Sequence, residues 1–314
     1  TAFSQGLDGA TLGGYGELHY NDVTYNANGE ETPGNLDFHR FILYAGYNFN
    51  DWISFQSELE LEHTLLEPGE GGEIALEQAY VDLHLKRSFG IRAGILLVPV
   101  GIVNPIHEPP TFNGVERPNV ERYLIPSTWR ESGIGIYGST QSGWSYQAYV
   151  MAGLKPNGIE GDGGIRDGRQ SAFESSTANI AFTGRLDYQA GLNLRVGASY
   201  FFSSLGYAIE EGEAEKIESL DGAMINLIEG HLLYQKNRFE ARGLLVYSKI
   251  NEVSQINNVF GNNAGESQFG GYGELAYDIL PFFAPETAQQ LFSFVRYESY
   301  DTQFTTVQVF DNPE

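Results

Sequence analysis

SFQSELELEHTL, residues 54–65, has a period of two. Phe55, Leu59, Leu61 and Leu65 point one way, and Ser54, Gln56, Glu58, Glu60 and Glu62 point the other. Strand side chains alternate between the two faces of a sheet, whereas a helix repeats its apolar positions every three or four residues. The run is therefore a strand with one apolar and one acidic face. The same period recurs in LNLRVGASY (192–200), where Leu192, Leu194, Val196, Ala198 and Tyr200 oppose Asn193, Arg195, Gly197 and Ser199. In IAFTGRLDY (180–188), Ile180, Phe182, Leu186 and Tyr188 oppose Thr183, Arg185 and Asp187. Tyr146, Ala148, Val150, Ala152 and Leu154 form a further apolar face.

Extended along the chain, the alternation predicts thirteen strands, over 11–21, 35–49, 52–65, 73–86, 89–101, 130–141, 144–155, 178–189, 192–205, 222–235, 237–250, 267–280 and 291–303. Most are about twice the ~5–6 residues usual in globular proteins. That is the length a tilted strand needs to cross a bilayer. The connections sort by parity. Those after strands 2, 4, 6, 8 and 10 are very short: Asn50, Arg87–Ser88, Ser142–Gly143, Ala190–Gly191 and Lys236. Those after the odd strands are longer, and the sixth on the short side, 281–290, is the exception. Short turns at one end and long loops at the other mark an outer-membrane barrel. Tyr47, Phe49, Trp52, Phe89, Trp144, Tyr188, Tyr234, Phe239, Phe282 and Phe283 flank the short turns, as an interfacial aromatic girdle requires.

Composition agrees. The 314 residues hold no Cys, which excludes disulfides, thiolate metal sites and thiol catalysis. A net charge of −23 argues against nucleic acid as a partner. The longest stretch without a charged or strongly polar residue is Ala93–Val103, too short for a membrane helix, which needs about 20. Bacterial single-chain barrels have even strand counts, and an open edge in lipid leaves backbone groups unpaired. The expectation is therefore an all-β, transmembrane antiparallel barrel of sixteen strands. Thirteen fall within this sequence, with the remaining C-terminal strands beyond it.

A second signal lies in particular strings. GGYGELHY (13–20), DFHRFILYAGYNFNDW (37–52), SELELEH (57–63), EIALEQAYVDLHLKR (73–87), RAGILLVPVGIVN (92–104) and HEPPTFNGVERPNVERYLIPSTWRESG (107–133) resemble the porin family named for the phosphate-selective porins O and P. The resemblance implies an outer-membrane porin with sixteen strands, usually a homotrimer. Phosphate selectivity in that family rests on Arg and Lys clusters in the pore. This chain has five Lys, none within 102–129.

The 102–129 segment is the longest connection, stiffened by Pro109, Pro110, Pro118 and Pro126. Loops of this length without a role are uncommon. It is expected to fold inward as a constriction, contributing His107, Glu108, Glu116, Arg117, Glu121 and Arg122. Pore-lining positions on the polar strand faces are Glu17, Glu58, Glu60, Glu62, Arg92, Arg185, Arg195, Arg242 and Arg296. The acids gather on strands 1 and 3 and the arginines on later strands, which suggests a transverse field.

Other motifs carry less. Gly133, Gly135 and Gly138 spell G-x-G-x-x-G, but inside a strand that another strand follows. The phosphate-binding version needs a helix there. GGYGEL occurs at 13–18 and 270–275, placing Glu17 and Glu274 on polar faces. His19, His39, His63, His84, His107 and His231 form no H-x-x-x-H or H-E-x-x-H pair, so no metal or other cofactor is expected. No G-x-S-x-G is present, and no enzyme is expected. Glu67, Glu70 and Glu73, and Glu210, Glu211, Glu213 and Glu215, are loop carboxylates that could share divalent cations with outer-membrane lipopolysaccharide. The combined expectation is a passive diffusion channel in the bacterial outer membrane for small hydrophilic solutes and ions, with weak cation preference. A phosphate- or anion-selective porin and a structural or adhesive barrel are the alternatives.

Overall fold

The computed structural model describes residues 9–21, 34–63, 72–210 and 212–307. Leu65, Glu67, Glu70 and Glu211 lie outside them. The chain forms two compact units, one of residues 1–85 with 92–96 and one of 86–91 with 97–314.

The first unit contains β1 (Ala10–Asn21), β2 (Asn35–Asn50), β3 (Ile53–Glu62), most of β4 (Glu73–Lys86) and the middle of β5 (Phe89–Leu97). β1 to β4 pair antiparallel in chain order. The second unit contains β6 (Arg130–Ser139), β7 (Trp144–Ala152), β8 (Ile180–Ala190), β9 (Leu194–Ser204), β10 (Tyr207–Glu210), β11 (Glu213–Lys216), β12 (Met224–Lys236), β13 (Phe239–Ile250), the helix α1 (Val253–Phe260), β14 (Ser267–Asp278) and β15 (Phe292–Thr305). Its main sheet runs β6-β7-β8-β9-β12-β13-β14-β15, every pair antiparallel, while β10 and β11 form a separate hairpin.

Among the described residues, thirteen long strands occupy the segments that the alternation predicts. The differences have local causes. β5 stops at Leu97 rather than Gly101 because Pro99 has no N–H to give a ladder. β3 stops at Glu62 because His63 turns the chain with φ 47°. The β10–β11 hairpin and α1 sit within stretches whose charge or amide content hides any apolar period, and the alternation did not predict them.

Burial is inverted relative to a water-soluble protein. In the first unit Leu18, Leu36, Leu59 and Ile74 are exposed while Arg40, Glu58 and Glu60 are buried. In the second unit Phe182, Leu186, Ile228, Leu245 and Val295 are exposed while Glu229 and Glu274 are buried. An apolar face of this extent is stable only against an apolar surrounding, and charge on the opposite face needs partners or water. No helix among the described residues is long and apolar enough to cross a membrane. The aromatics beside the short turns meet in pairs: Tyr47 with Phe49 at 5.0 Å, Trp144 with Tyr188 at 4.7 Å, and Tyr234 with Phe239 at 6.1 Å.

Apolar burial is concentrated at the long-loop end of the second unit. Leu154, Ile159, Ile165, Leu205, Leu220 and Ile225 are fully enclosed there, and Trp129 packs on Phe201 at 4.4 Å. Of the G-x-G-x-x-G residues, Gly135 lies against the Ala148 carbonyl and Gly138 against the Ser88 carbonyl, where a Cβ would collide. Close strand packing accounts for these glycines.

Candidate functional site

Residues 98–129 leave β5 and return at β6. The ends of this loop are joined at its base. The Val98 amide donates to the Trp129 carbonyl (2.9 Å), and the fully buried Asn104 bridges the same two residues. Its Nδ2 donates to the Val98 carbonyl (2.7 Å) and its Oδ1 accepts from the Trp129 amide (2.6 Å). Beyond this clip come two 3-10 turns, Asn104–Ile106 and Pro109–Thr111, each with proline in its first positions, where a missing N–H costs nothing. A single π-helical turn, Val120–Leu124, precedes the return.

Between base and return, the loop lies along the polar face of β8 and β12–β15. Arg185 on β8 donates to the Gly101 carbonyl. Arg242 on β13 donates to the Thr111 carbonyl (2.9 Å), and Arg296 on β15 to those of Asn113 (3.3 Å) and Glu116 (3.4 Å). Asn113 returns a bond to Glu274 (2.9 Å), and Glu298 accepts from the Val120 amide (3.3 Å). At the far end Tyr272 on β14 donates to Glu121 Oε1 (2.6 Å), whose Oε2 accepts from the Val103 amide (2.6 Å).

The expected site residues are thus placed as follows. Glu121 is buried and fastens the loop. His107 is buried, its Nδ1 3.3 Å from the Asn104 carbonyl. Glu108 and Arg117 are half-buried, and Glu116 and Arg122 are exposed. Arg185, Arg242 and Arg296 converge on the loop. Arg195 does not: it is exposed and reaches Gln189 at 3.4 Å. In the first unit Arg40 lies between Glu17 and Glu60, 2.9 Å from each, with Glu62 at 3.8 Å. Glu58 accepts from Gln78 (2.7 Å), and Arg92 binds Asp82 through two nitrogens (2.7 and 2.8 Å).

Neither set is a wall of one sign. The acids of β1 and β3 enclose Arg40. Arg242 and Arg296 share Glu274, each at 3.2 Å, and Arg185 holds Asp187 at 2.7 Å. Carboxylates neighbour these arginines through strand pairing at Arg40, Arg242 and Arg296, and along β8 itself at Arg185.

Sequence reading missed Asn104, Tyr272 and a network of Asp187, Glu229 and His231. His231 lies 2.8 Å from both carboxylates, and Glu229 accepts from Ser199 (2.8 Å). Asp187 and His231 both oppose Gly197, on the strand between them. A Cβ at Gly197 would meet both side chains, so glycine leaves the gap across which they touch. The available signal was a charged residue on each of two strands flanking a glycine, readable only once the register is known.

Burial pushes the Glu121 carboxyl up to about 7, while the bonds from Tyr272 and Val103 pull it down. A carboxyl raised in the folded state keeps a proton that the unfolded chain releases. Its contribution to stability is complete below the ordinary range of about 4.3 and is lost as pH rises through 7. The urea midpoint of wild type relative to Glu121→Gln should therefore fall between about pH 4.5 and pH 7.5. A difference that is flat or rising across this window would contradict the assignment. Nearby, burial and the like charges of Arg117 and Arg122 lower Arg166, and burial with Arg166 and Arg130 brings Arg169 down to about 10.

No family model matches the chain. An anion-selective porin from Comamonas acidovorans superposes with a TM-score of 0.58 at 14% identity, over 94% of this chain and 79% of that one. The outer membrane channel DcaP of Acinetobacter baumannii gives a TM-score of 0.45 at 9% identity, over 96% and 93%. The first likeness, with the strand order above, identifies the fold as that of outer-membrane β-barrels. In sequence, an uncharacterized protein of Aquifex aeolicus (strain VF5) is 39% identical over 323 residues, covering 98% of this chain and 69% of that protein. The chain belongs to the same family as this Aquifex aeolicus protein.

Proposed function

We propose that the chain is a porin, a passive diffusion channel for small hydrophilic solutes and ions, narrowed by the loop at 102–129. The observation that carries this reading is the loop's attachment: side chains of β8 and β12–β15 hold it along the polar face while the other face is apolar and exposed. The resemblance in residues 13–133 supports membership of the phosphate-selective porin O/P family and, with it, a homotrimer in contact with outer-membrane lipid and lipopolysaccharide.

Weak cation preference follows from charge. The chain carries −23, and Arg185, Arg242 and Arg296 each face a carboxylate. An acidic protein concentrates cations near its surface, an effect that salt screens beyond about 10 Å at 0.1 M. Two observations support anion preference as a second reading. Arg117, Arg122, Arg166 and Arg169 gather on neighbouring loops, and the Comamonas acidovorans porin is described as anion-selective.

Reversal potentials in a planar bilayer under a KCl gradient test both. The expected result is channel conductance with a cation-side potential that shrinks as salt rises. An anion-side potential, or block by micromolar phosphate, would establish the second reading. Absence of conductance would return the chain to a structural role.

A further inference from the structure

Three of the six histidines meet at the long-loop end of β1–β3, within the first unit. Strand pairing sets His19 opposite Asp37. The register then shifts: Glu17 pairs with Arg40 and Leu18 with Phe38, leaving His39 without an opposite residue. Such a bulge re-aims side chains. Here it lets His39 and Arg40, adjacent in sequence, both reach the polar face, Arg40 to Glu17 and His39 to Asp37. His63 follows the last residue of β3. Its amide donates to the His39 carbonyl (3.0 Å), and its left-handed φ of 47° turns the ring back over Asp37.

The resulting geometry is compact. His39 Nδ1 and His63 Nδ1 lie 3.2 and 3.0 Å from the Asp37 carboxylate. One ligand atom from each of the three residues lies within 4.8 Å of the others. Bonds of about 2.0–2.2 Å to a tetrahedral ion put its ligand atoms roughly 3.3–3.5 Å apart, close to the two Asp37–histidine separations. His19 stacks on His39 at 4.3 Å with planes 9° apart, while its own Nε2 is held by Glu17 at 2.6 Å. The stack fixes the plane of His39 and so the direction of its nitrogen. The side chains of Asp37, His39 and His63 are 26%, 27% and 41% exposed, which leaves an ion open to water on its remaining side.

We infer that Asp37, His39 and His63 form a binding site for a divalent transition-metal ion. Two imidazoles and one carboxylate suit zinc, nickel or copper, whereas calcium and magnesium take oxygen ligands. His19 is a positioning residue that orients His39. The site lies apart from the 98–129 loop in sequence and does not depend on the porin reading.

Zinc titration of the full chain in detergent micelles, followed by calorimetry, tests this. Wild type should bind one Zn²⁺ per chain. His39→Ala, His63→Ala and Asp37→Asn should each weaken binding at least roughly tenfold, and His84→Ala, on β4, should leave it unchanged. A histidine-acylating footprint on wild type avoids any folding defect of the variants: Zn²⁺ should protect His39 and His63. No saturable zinc binding by wild type, undiminished binding by the three variants, an equal loss in His84→Ala, or no protection of His39 and His63 would overturn the site.

Discussion

Replacing residues 108–118 with a short glycine–serine link is expected to raise single-channel conductance roughly two-fold or more, since a barrel of this class leaves an aqueous lumen once nothing crosses it. The choice of segment follows from how the loop is fastened. Its base is closed by Asn104 and by the Val98–Trp129 bond, and its return is held by Glu121 through Tyr272 and Val103. Both fastenings survive this deletion. What is lost is the span gripped by Arg242 and Arg296 through the carbonyls of Thr111, Asn113 and Glu116. Planar-bilayer recordings of wild type and the deletion, at equal salt, make the comparison. Equal conductance would place this span outside the conducting path.

Glu274→Gln should have the largest effect of any single substitution in the site. Glu274 is almost completely buried, lies 3.2 Å from both Arg242 and Arg296, and accepts from Asn113. Glutamine keeps the shape and one acceptor but removes the charge that both guanidiniums face. Removing one partner of a buried ion pair costs about 3–5 kcal/mol, because the charge left behind is not rehydrated. Water reaching the arginines reduces this, so a loss of about 3 kcal/mol in urea unfolding is expected. The same change leaves one more net positive charge beside the loop, and the reversal potential should move toward anions. A variant of wild-type stability and selectivity would mean that the loop carbonyls, with Glu240 and Glu298, hold the arginines without Glu274.

The sequence carried much of this architecture because alternation and loop parity are one-dimensional signals. The acidic face of Ser54–Glu62 and the arginine positions 185, 242 and 296 are readable by counting in twos, and the Pro-rich loop stands out by length. What counting cannot supply is register. The neutralisation of Arg242 and Arg296 depends on Glu274 standing opposite both, which is a property of the β13–β14 and β14–β15 pairs. The network around His231 needs three strands in fixed alignment. The bulge at His39 leaves no trace in β2 itself, since it exists only relative to β1. Asn104 is a lone amide in a loop until Val98 and Trp129 come together around it. The strand ends misjudged by alternation were set by Pro99 and by the left-handed turn at His63.

The strand arginines hold the loop by main-chain carbonyls, and every residue type has a carbonyl. Thr111 and Glu116 can each be exchanged without removing the oxygen that Arg242 or Arg296 grips, whereas Gly101 has a left-handed φ of 85° and the Asn113 side chain itself binds Glu274. Between the side-chain fastenings of Asn104, Asn113 and Glu121, attachment and chemistry are therefore written in separate alphabets: the carbonyls of Thr111 and Glu116 specify where the chain sits, and under the porin reading their side chains specify what a solute meets. If the loop is the filter proposed above, it can be re-lettered at Thr111 and Glu116 while its mounting stays in place. Relatives with the same frame could then present quite different surfaces to solutes.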